Sequence, residues 1–127
     1  MPDQLTLTVP APWGLALVLG LRTAWHHHRP APAGLVLPAR LAIVQEQAAN
    51  DFAGVMRHLD HLCRRRGLGP LACAIPWDYT LPNLMGWADL TACVSSWRAR
   101  AGLAHGWRWD LTNPRPAWAA ADFRYGS

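Results

Sequence analysis

Apolar positions recur at intervals of three and four residues between 51 and 66, and this is the most regular pattern in the chain. They form one stripe, made up of Phe52, Val55, Met56, Leu59, Leu62 and Cys63. Such a stripe predicts an amphipathic helix over Asp51–Arg66. Asn50 is expected to cap its N-terminus, and the arginines Arg64–Arg66 before Gly67 suit the negative end of the helix dipole.

Several shorter segments alternate polar and apolar residues, which is typical of strands. The predicted strands and extended segments are Gln4–Val9, Arg22–His28, Leu35–Val44, Met85–Val94, His105–Thr112 and a short Ala121–Tyr125. In the fifth of these, Trp107 and Trp109 share a face that is expected to be buried, with Arg108 on the opposite face. Pro114 and Pro116 are expected to end that strand.

Proline and glycine divide the first half of the chain into further elements. Trp13–Leu19 predicts a short helix that ends at Gly20. Leu35–Val44 predicts a long buried strand in which Pro38 marks an edge or bulge position. The order of elements does not fit alternating βαβ units, and it predicts an α+β fold: a β-barrel of about five to six strands with one short and one longer helix packed on it. The chain shows no repeats and no linker, so residues 1–127 are expected to form a single domain.

Composition bears on the partner more than on the fold. Apolar residues make up 51% of the 127 residues, which is enough to bury a core. All twelve basic residues are arginine, and the formal net charge is +4. A guanidinium is planar and always charged, so it suits bidentate phosphate contacts and stacking on bases. The charge permits an anionic partner without requiring one.

The sequence offers no sign of a membrane span or a secretory leader. No hydrophobic run approaches the ~20 residues that a membrane span needs, and the first residues lack the basic segment of a signal peptide. Cys63, Cys73 and Cys93 form no C-x-x-C pair, and their odd number argues against a disulfide framework. We therefore expect a cytoplasmic protein with reduced thiols and no membrane partner.

Three blocks, in the same order, resemble the ASCH family. Pro12–Gly14, followed by an apolar segment and Gly20–Thr23, is similar to the family's opening of P-W-A, apolar helix and G-x-K. Gly86–Val94 resembles the family strand written G-x-V-x-L-x-D-C-V, and Trp107–Pro116 resembles its closing aromatic-x-L-x-N-P segment. The helix-bearing Asn50–Gly67 lies where family members often carry an insert.

The resemblance implies a PUA-like barrel with a cleft between barrel and helix. Members of the family are proposed to bind RNA or DNA, and some act as nucleoside amidohydrolases or ribonucleases. This chain departs from the family pattern, since Arg22 stands at the position of the family lysine, and Trp25 and His27 replace an acidic residue and an arginine. Amidohydrolase-type members use a lysine and a nearby threonine in this segment. Arg22 cannot act as a base, because its pKa exceeds ~12. The family's catalytic set is not carried over, and a binding role is preferred to an enzymatic one.

The densest group of chemically active side chains lies between residues 22 and 29. We expect Arg22 to contact a phosphate, Trp25 to stack on a base, and a histidine to act as donor or proton carrier. On a strand, His26 and His28 would point one way, and Trp25 and His27 the other. The alternative is that Trp25 belongs to the core and the histidines to a solvated loop. The predicted ligand-binding residues are Trp13, Arg22, Thr23, Trp25, His27, Arg29, Trp77 and Tyr79.

Catalysis and metal binding are the other interpretations of these side chains. Two imidazoles and a cation suffice for a ribonuclease, so His26–His28 with Arg22 form a candidate catalytic group. His58 and His61 lie one helical turn apart, but no C-x-x-C or H-E-x-x-H pattern accompanies them. We therefore predict no metal site and no cofactor.

The leading hypothesis is a monomeric module that binds single-stranded RNA, or a modified nucleotide, in a basic, aromatic-lined cleft. A nucleoside-like small molecule is the second candidate ligand. One alternative is an ASCH-type hydrolase, either a ribonuclease or a nucleoside amidohydrolase, that uses the segment from Arg22 to His28. Another is a protein–protein interaction domain whose tryptophans lie in the core or at an interface.

Overall fold

The computed structural model describes residues 5–48, 51–71, 83–96 and 106–118, which form five strands and two helices. In chain order these are β1 (Thr6–Ala11), α1 (Trp13–Val18), β2 (Ala24–His27), β3 (Ala39–Ala48), α2 (Phe52–Arg65), β4 (Asn83–Ser96) and β5 (Gly106–Pro116). The predicted strand at Ala121–Tyr125 lies outside the described residues, and so does Cys73, one of the three cysteines.

The five strands form a single sheet in the order β1-β3-β4-β5-β2. β1 pairs parallel with β3, and the other three pairs are antiparallel. The sheet curls into a half-barrel, with β1 and β2 at its two edges. The predicted α+β class, a barrel-like sheet with one short and one longer helix, is confirmed.

The short helix α1 packs against β1, β3, β4 and β5, and all of its residues except Trp13 are buried. One polar side chain reaches the core in the described part of the chain, namely Gln45, which is 2% exposed. Its Oε1 accepts a hydrogen bond from the Leu15 N–H at 3.2 Å. The first N–H groups of a helix have no partner within the helix. Gln45 satisfies one of them, and β3 thereby fixes the start of α1.

The longer helix α2 is confirmed, with its apolar stripe turned to the core, where Leu59 and Cys63 are buried. Asp51 is the N-cap, and its carboxylate accepts a hydrogen bond from the Gly54 N–H at 3.3 Å. The sequence prediction assigned that role to Asn50, which lies outside the described residues; aspartate and asparagine cap equally well, so the pattern could not separate them. No helix among the described residues is long and apolar enough to cross a membrane.

Two predicted strands have wrong boundaries. β3 spans Ala39–Ala48 rather than Leu35–Val44, and Val36 is 82% exposed, so the apolar residues before Pro38 do not belong to the core. A proline has no N–H to donate to a strand ladder, which favours a strand that starts after it.

The second of these strands is β5, which continues past Pro114 to Pro116 instead of stopping before them. Trp87 pairs with Arg115 and Asp89 with Thr112, so β5 carries one extra residue at this point. Such a bulge accommodates a proline without breaking the pairing of the two strands.

Candidate nucleic-acid interface

Arg22 lies against two indole rings at the junction of α1 and β2. Gly20 ends α1 with φ 74°, the left-handed conformation that favours glycine. The guanidinium carbon of Arg22 lies 5.1 Å from the centre of the Trp13 ring and 5.8 Å from that of the Trp25 ring. The two rings are 6.3 Å apart and tilted by 51°. Both cation–ring distances fall within the ~6 Å of a cation–π interaction, and we call Trp13, Arg22 and Trp25 the guanidinium–indole cluster.

The protein holds one edge of the Arg22 guanidinium and leaves the other accessible. Nε donates a hydrogen bond to the Ala24 carbonyl at 3.1 Å. Within the described part of the chain, no hydrogen bond or ion pair occupies the two terminal nitrogens, and the side chain is exposed. Stacking on the indoles restricts the guanidinium before any ligand arrives, which reduces the entropy lost on binding. The arrangement suits bidentate contact with a phosphate.

A pocket of about 440 Å³ lies between β1 and the chain that follows β2. Its polar and aromatic lining includes Thr8, His27, His28, Arg29, Glu46 and Trp109. Ligand pockets in proteins commonly measure about 300–1,000 Å³ and combine apolar surface with a few polar groups. The lining joins two imidazoles, a guanidinium, a carboxylate and an indole, so it offers hydrogen bonding and stacking together.

His27 is held in this pocket by three contacts. Its Nδ1 accepts a hydrogen bond from the Arg29 N–H at 3.0 Å. Its ring stacks on His28, with centroids 4.4 Å apart, and lies 5.2 Å from the Trp109 ring. Burial lowers the pKa of His27 below its usual value, and the neighbouring His28 lowers it further. Because Nδ1 accepts, the neutral ring carries its proton on Nε2, which can donate to a ligand.

Two hydrogen bonds fasten the segment that follows β2. Trp109 donates from Nε1 to the Arg29 carbonyl at 3.0 Å. The Ala31 N–H donates to the Cys93 sulfur at 3.3 Å. This wall of the pocket is thereby attached to both β5 and β4. Trp109 was predicted to be a core residue; it is buried as expected, and it also lines the pocket.

Arg22 itself lines a smaller cavity of about 250 Å³. Thr23 lines it together with Arg22, Gly20 and Asn113. The amide nitrogen of Asn113 donates to the Asp89 carboxylate at 3.2 Å, which fixes this side chain. Thr23 and the Arg22 guanidinium therefore border the same space.

The predicted site residues occupy two neighbouring places. Trp13, Arg22 and Trp25 form the cluster, while His27 and Arg29 line the larger pocket. β2 connects the two, since Trp25 and His27 both lie on this strand and two residues apart. Trp77 and Tyr79, which are also predicted to bind the ligand, lie outside the described residues.

The prediction that His28 points away from His27 is wrong. β2 ends at His27, and His28 is free to turn its ring onto that of His27, so both line the same pocket. His26 pairs in register with Arg108 of β5 and is not part of the pocket lining. Among the described residues, no three His, Cys, Asp or Glu side chains lie close enough to hold a metal ion.

Glu46 and Thr8 are pocket residues that the sequence did not reveal. They come from β3 and β1, which pair parallel with each other at the far edge of the sheet from β2. No local spacing connects them with the histidines. Only the alternation of β1, with Leu7 and Val9 buried and Thr8 exposed, could have placed Thr8 on an outward surface.

Comparison with solved structures relates the fold to an ASCH protein. The chain is similar to the crystal structure of a mutant of ZmASCH from Zymomonas mobilis, with a TM-score of 0.50 and 16% sequence identity. The match covers 91% of this chain and 73% of that one. No family model matches the sequence, and no curated protein matches it. The likeness shows the fold alone, a curled half-barrel sheet with two helices.

Proposed function

We propose that this protein binds single-stranded RNA, or a nucleotide-sized fragment of it, at the guanidinium–indole cluster and the adjoining larger pocket. The observation that carries the proposal is the position of the exposed Arg22 beside Trp13 and Trp25, with only its Nε hydrogen-bonded among the described residues. A phosphate would accept from the guanidinium, and an unpaired base would stack on an indole. Such stacking contributes roughly 1–3 kcal/mol per base.

The larger pocket supports the same proposal. Its volume, about 440 Å³, is that of a small-molecule site, and β2 joins it directly to the cluster. An Nε2–H on His27, a guanidinium on Arg29 and a carboxylate on Glu46 can form hydrogen bonds with the edge of a base or with a ribose. The fold similarity to an ASCH protein agrees with a role in RNA binding.

The direct test is fluorescence-anisotropy binding to single-stranded RNA, single-stranded DNA and duplex DNA at two salt concentrations. Arg22→Ala is expected to weaken RNA binding and to lower the salt slope by about 0.7, the value for one phosphate contact on a single strand. Arg40→Ala is the matched control, because Arg40 also stacks on an indole, 5.2 Å from the Trp87 ring centre, and lines neither pocket described above. Equal affinities for wild type and Arg22→Ala would contradict the proposal.

A ribonuclease is the second candidate, and one observation favours it. His27, His28 and Glu46 line one pocket, so two imidazoles and a carboxylate face the same space. Acid and base groups on either side of a bound ribose are what cleavage by proton transfer requires. The test for cleavage incubates labelled single-stranded RNA with wild type and with the double variant His27→Ala/His28→Ala. Each incubation is done with and without a chelator. Cleavage that the double variant loses would establish this second activity.

A further inference from the structure

The exposed side of α2 carries a basic face that the proposed site does not use. Leu59 and Cys63 mark the buried side of the helix. Helical spacing places the remaining long polar side chains on the opposite side. These exposed residues, which we call the α2 basic face, are Arg57, His58, His61, Arg64 and Arg65.

The one acidic side chain within α2, Asp60, neutralises only part of this face. Its Oδ2 accepts from Arg64 Nε at 2.9 Å, and its Oδ1 accepts from the Leu71 N–H at 2.8 Å. Arg57 and Arg65 have no ion-pair partner among the described residues. Two guanidinium groups on the same side of one helix are therefore available to a polyanion.

The C-terminal end of α2 contacts the turn that leads from α1 to the guanidinium–indole cluster. Arg66, directly after α2, donates a hydrogen bond from Nη1 to the Gly20 carbonyl. Gly20 and Arg22 line the same small cavity. The C-terminal end of the α2 basic face, with Arg65, therefore lies toward this cavity. Arg57 lies eight residues further along the helix, a distance of about 12 Å at the rise of an α-helix.

We propose that the α2 basic face carries the sugar–phosphate backbone of single-stranded RNA beyond the nucleotide held at the cluster. This inference rests on the proposed function, and it extends the site from one nucleotide to a track along α2. The contacts are electrostatic and independent of sequence, because guanidinium groups on an open helix face reach phosphates and not base edges. The track runs from Arg22 past Arg65 to Arg57.

The experiment measures affinity as a function of RNA length. Wild type, Arg65→Gln, Arg57→Gln and the control Arg40→Gln are titrated against labelled single-stranded RNA of four, eight and twelve nucleotides at 50 and 200 mM salt. Glutamine is a good helix former, so each α2 variant keeps the helix while losing one charge. Circular dichroism verifies that the helix content is unchanged.

If RNA follows this track, each α2 variant should begin to lose affinity at a characteristic RNA length. Wild-type affinity should rise with length, Arg65→Gln should weaken binding at a shorter length than Arg57→Gln, and Arg40→Gln should match wild type. Each lost contact should reduce the salt slope by about 0.7, which makes the affinity loss between 50 and 200 mM salt roughly 2.5-fold smaller than in wild type.

The possible failures are distinguishable. Wild type that binds all three lengths equally, with both α2 variants unaffected, would overturn the track and leave the site at Arg22 intact. Wild type that binds no RNA would overturn the proposed function itself. If the α2 variants lost affinity only for vesicles containing phosphatidylserine and kept their affinity for RNA, the face would belong to a membrane surface and the track would be refuted.

Discussion

The imidazole rings of His27 and His28 stack with their centroids 4.4 Å apart and their planes 18° from parallel. Two rings at this distance cannot both become cationic without strong repulsion, because like charges disfavour each other's charged form. Together with burial, this contact keeps the pKa of His27 below its usual value. The pocket wall is therefore expected to present a neutral His27 at neutral pH.

The first prediction concerns stability and pH. The unfolded chain binds more protons than the folded chain between the lowered pKa of His27 and the usual value of about 6.5. Its contribution to the free energy of unfolding is thus fully present above pH 6.5, and it is lost as the pH falls through the folded-state pKa. Urea unfolding between pH 5 and 8 should show a weaker pH dependence for His27→Gln than for wild type. His61→Gln, which changes an exposed imidazole on α2, serves as the control, and identical curves for His27→Gln and wild type would refute the assignment.

The second prediction concerns the buried polar contact between α1 and β3. Gln45→Met preserves most of the side-chain volume and removes the acceptor for the Leu15 N–H. A buried N–H without a partner costs about 1–3 kcal/mol, and the free energy of unfolding should fall by that amount. Chemical denaturation measures it. Unchanged stability would mean that another group satisfies the Leu15 N–H.

The third prediction compares two glycines with positive φ. At Gly86, φ is 156°, and an added Cβ would collide with the Arg115 carbonyl of β5, so Gly86→Ala should lose about 2–5 kcal/mol. At Gly34, φ is 79° and nothing lies within 4 Å of an added Cβ. Gly34→Ala should therefore lose only the ~1–2 kcal/mol of backbone strain. Similar thermal unfolding of both variants would show that β4 and β5 separate easily at this point.

The fourth prediction separates the shape of Arg22 from its charge. Arg22→Lys keeps the positive charge and removes the planar group that stacks beside Trp13 and Trp25. We expect its RNA affinity to lie between those of wild type and Arg22→Ala, with a salt slope close to that of wild type. If Arg22→Lys matched wild type in affinity, charge alone would account for the binding, and the stacked geometry would be irrelevant.

The sequence predicted the elements that depend on local patterns. The stripe from Phe52 to Cys63 specifies α2 by itself, and Gly20 marks the end of α1. The start of β3 was placed too early, because Leu35–Leu37 have strand-like composition and only the tertiary structure leaves Val36 at the surface. Propensity describes what a segment can form, whereas packing decides what it forms.

The candidate site also contains residues that local sequence could predict and residues that it could not. Arg22 and Trp25 are close in sequence, so their proximity could be predicted. Trp13 was included among the predicted site residues because it lies in the family-like block that begins at Pro12. Glu46 could not be predicted, because it reaches the histidines only through the curl of the sheet, which brings the edge formed by β1 and β3 close to the end of β2. Pairings between distant strands leave no mark in local spacing, and a pocket formed across a sheet becomes visible only in three dimensions.

The most direct test of the central claim is a nuclear magnetic resonance titration that follows the indole N–H signals as a short single-stranded RNA is added. The proposed site predicts that the signals of Trp13 and Trp25 shift. The signal of Trp87, which stacks with Arg40 outside both cavities, should stay in place. If Trp13 and Trp25 remain unchanged while RNA binds, the nucleic acid lies elsewhere on the protein and the guanidinium–indole cluster is not its site.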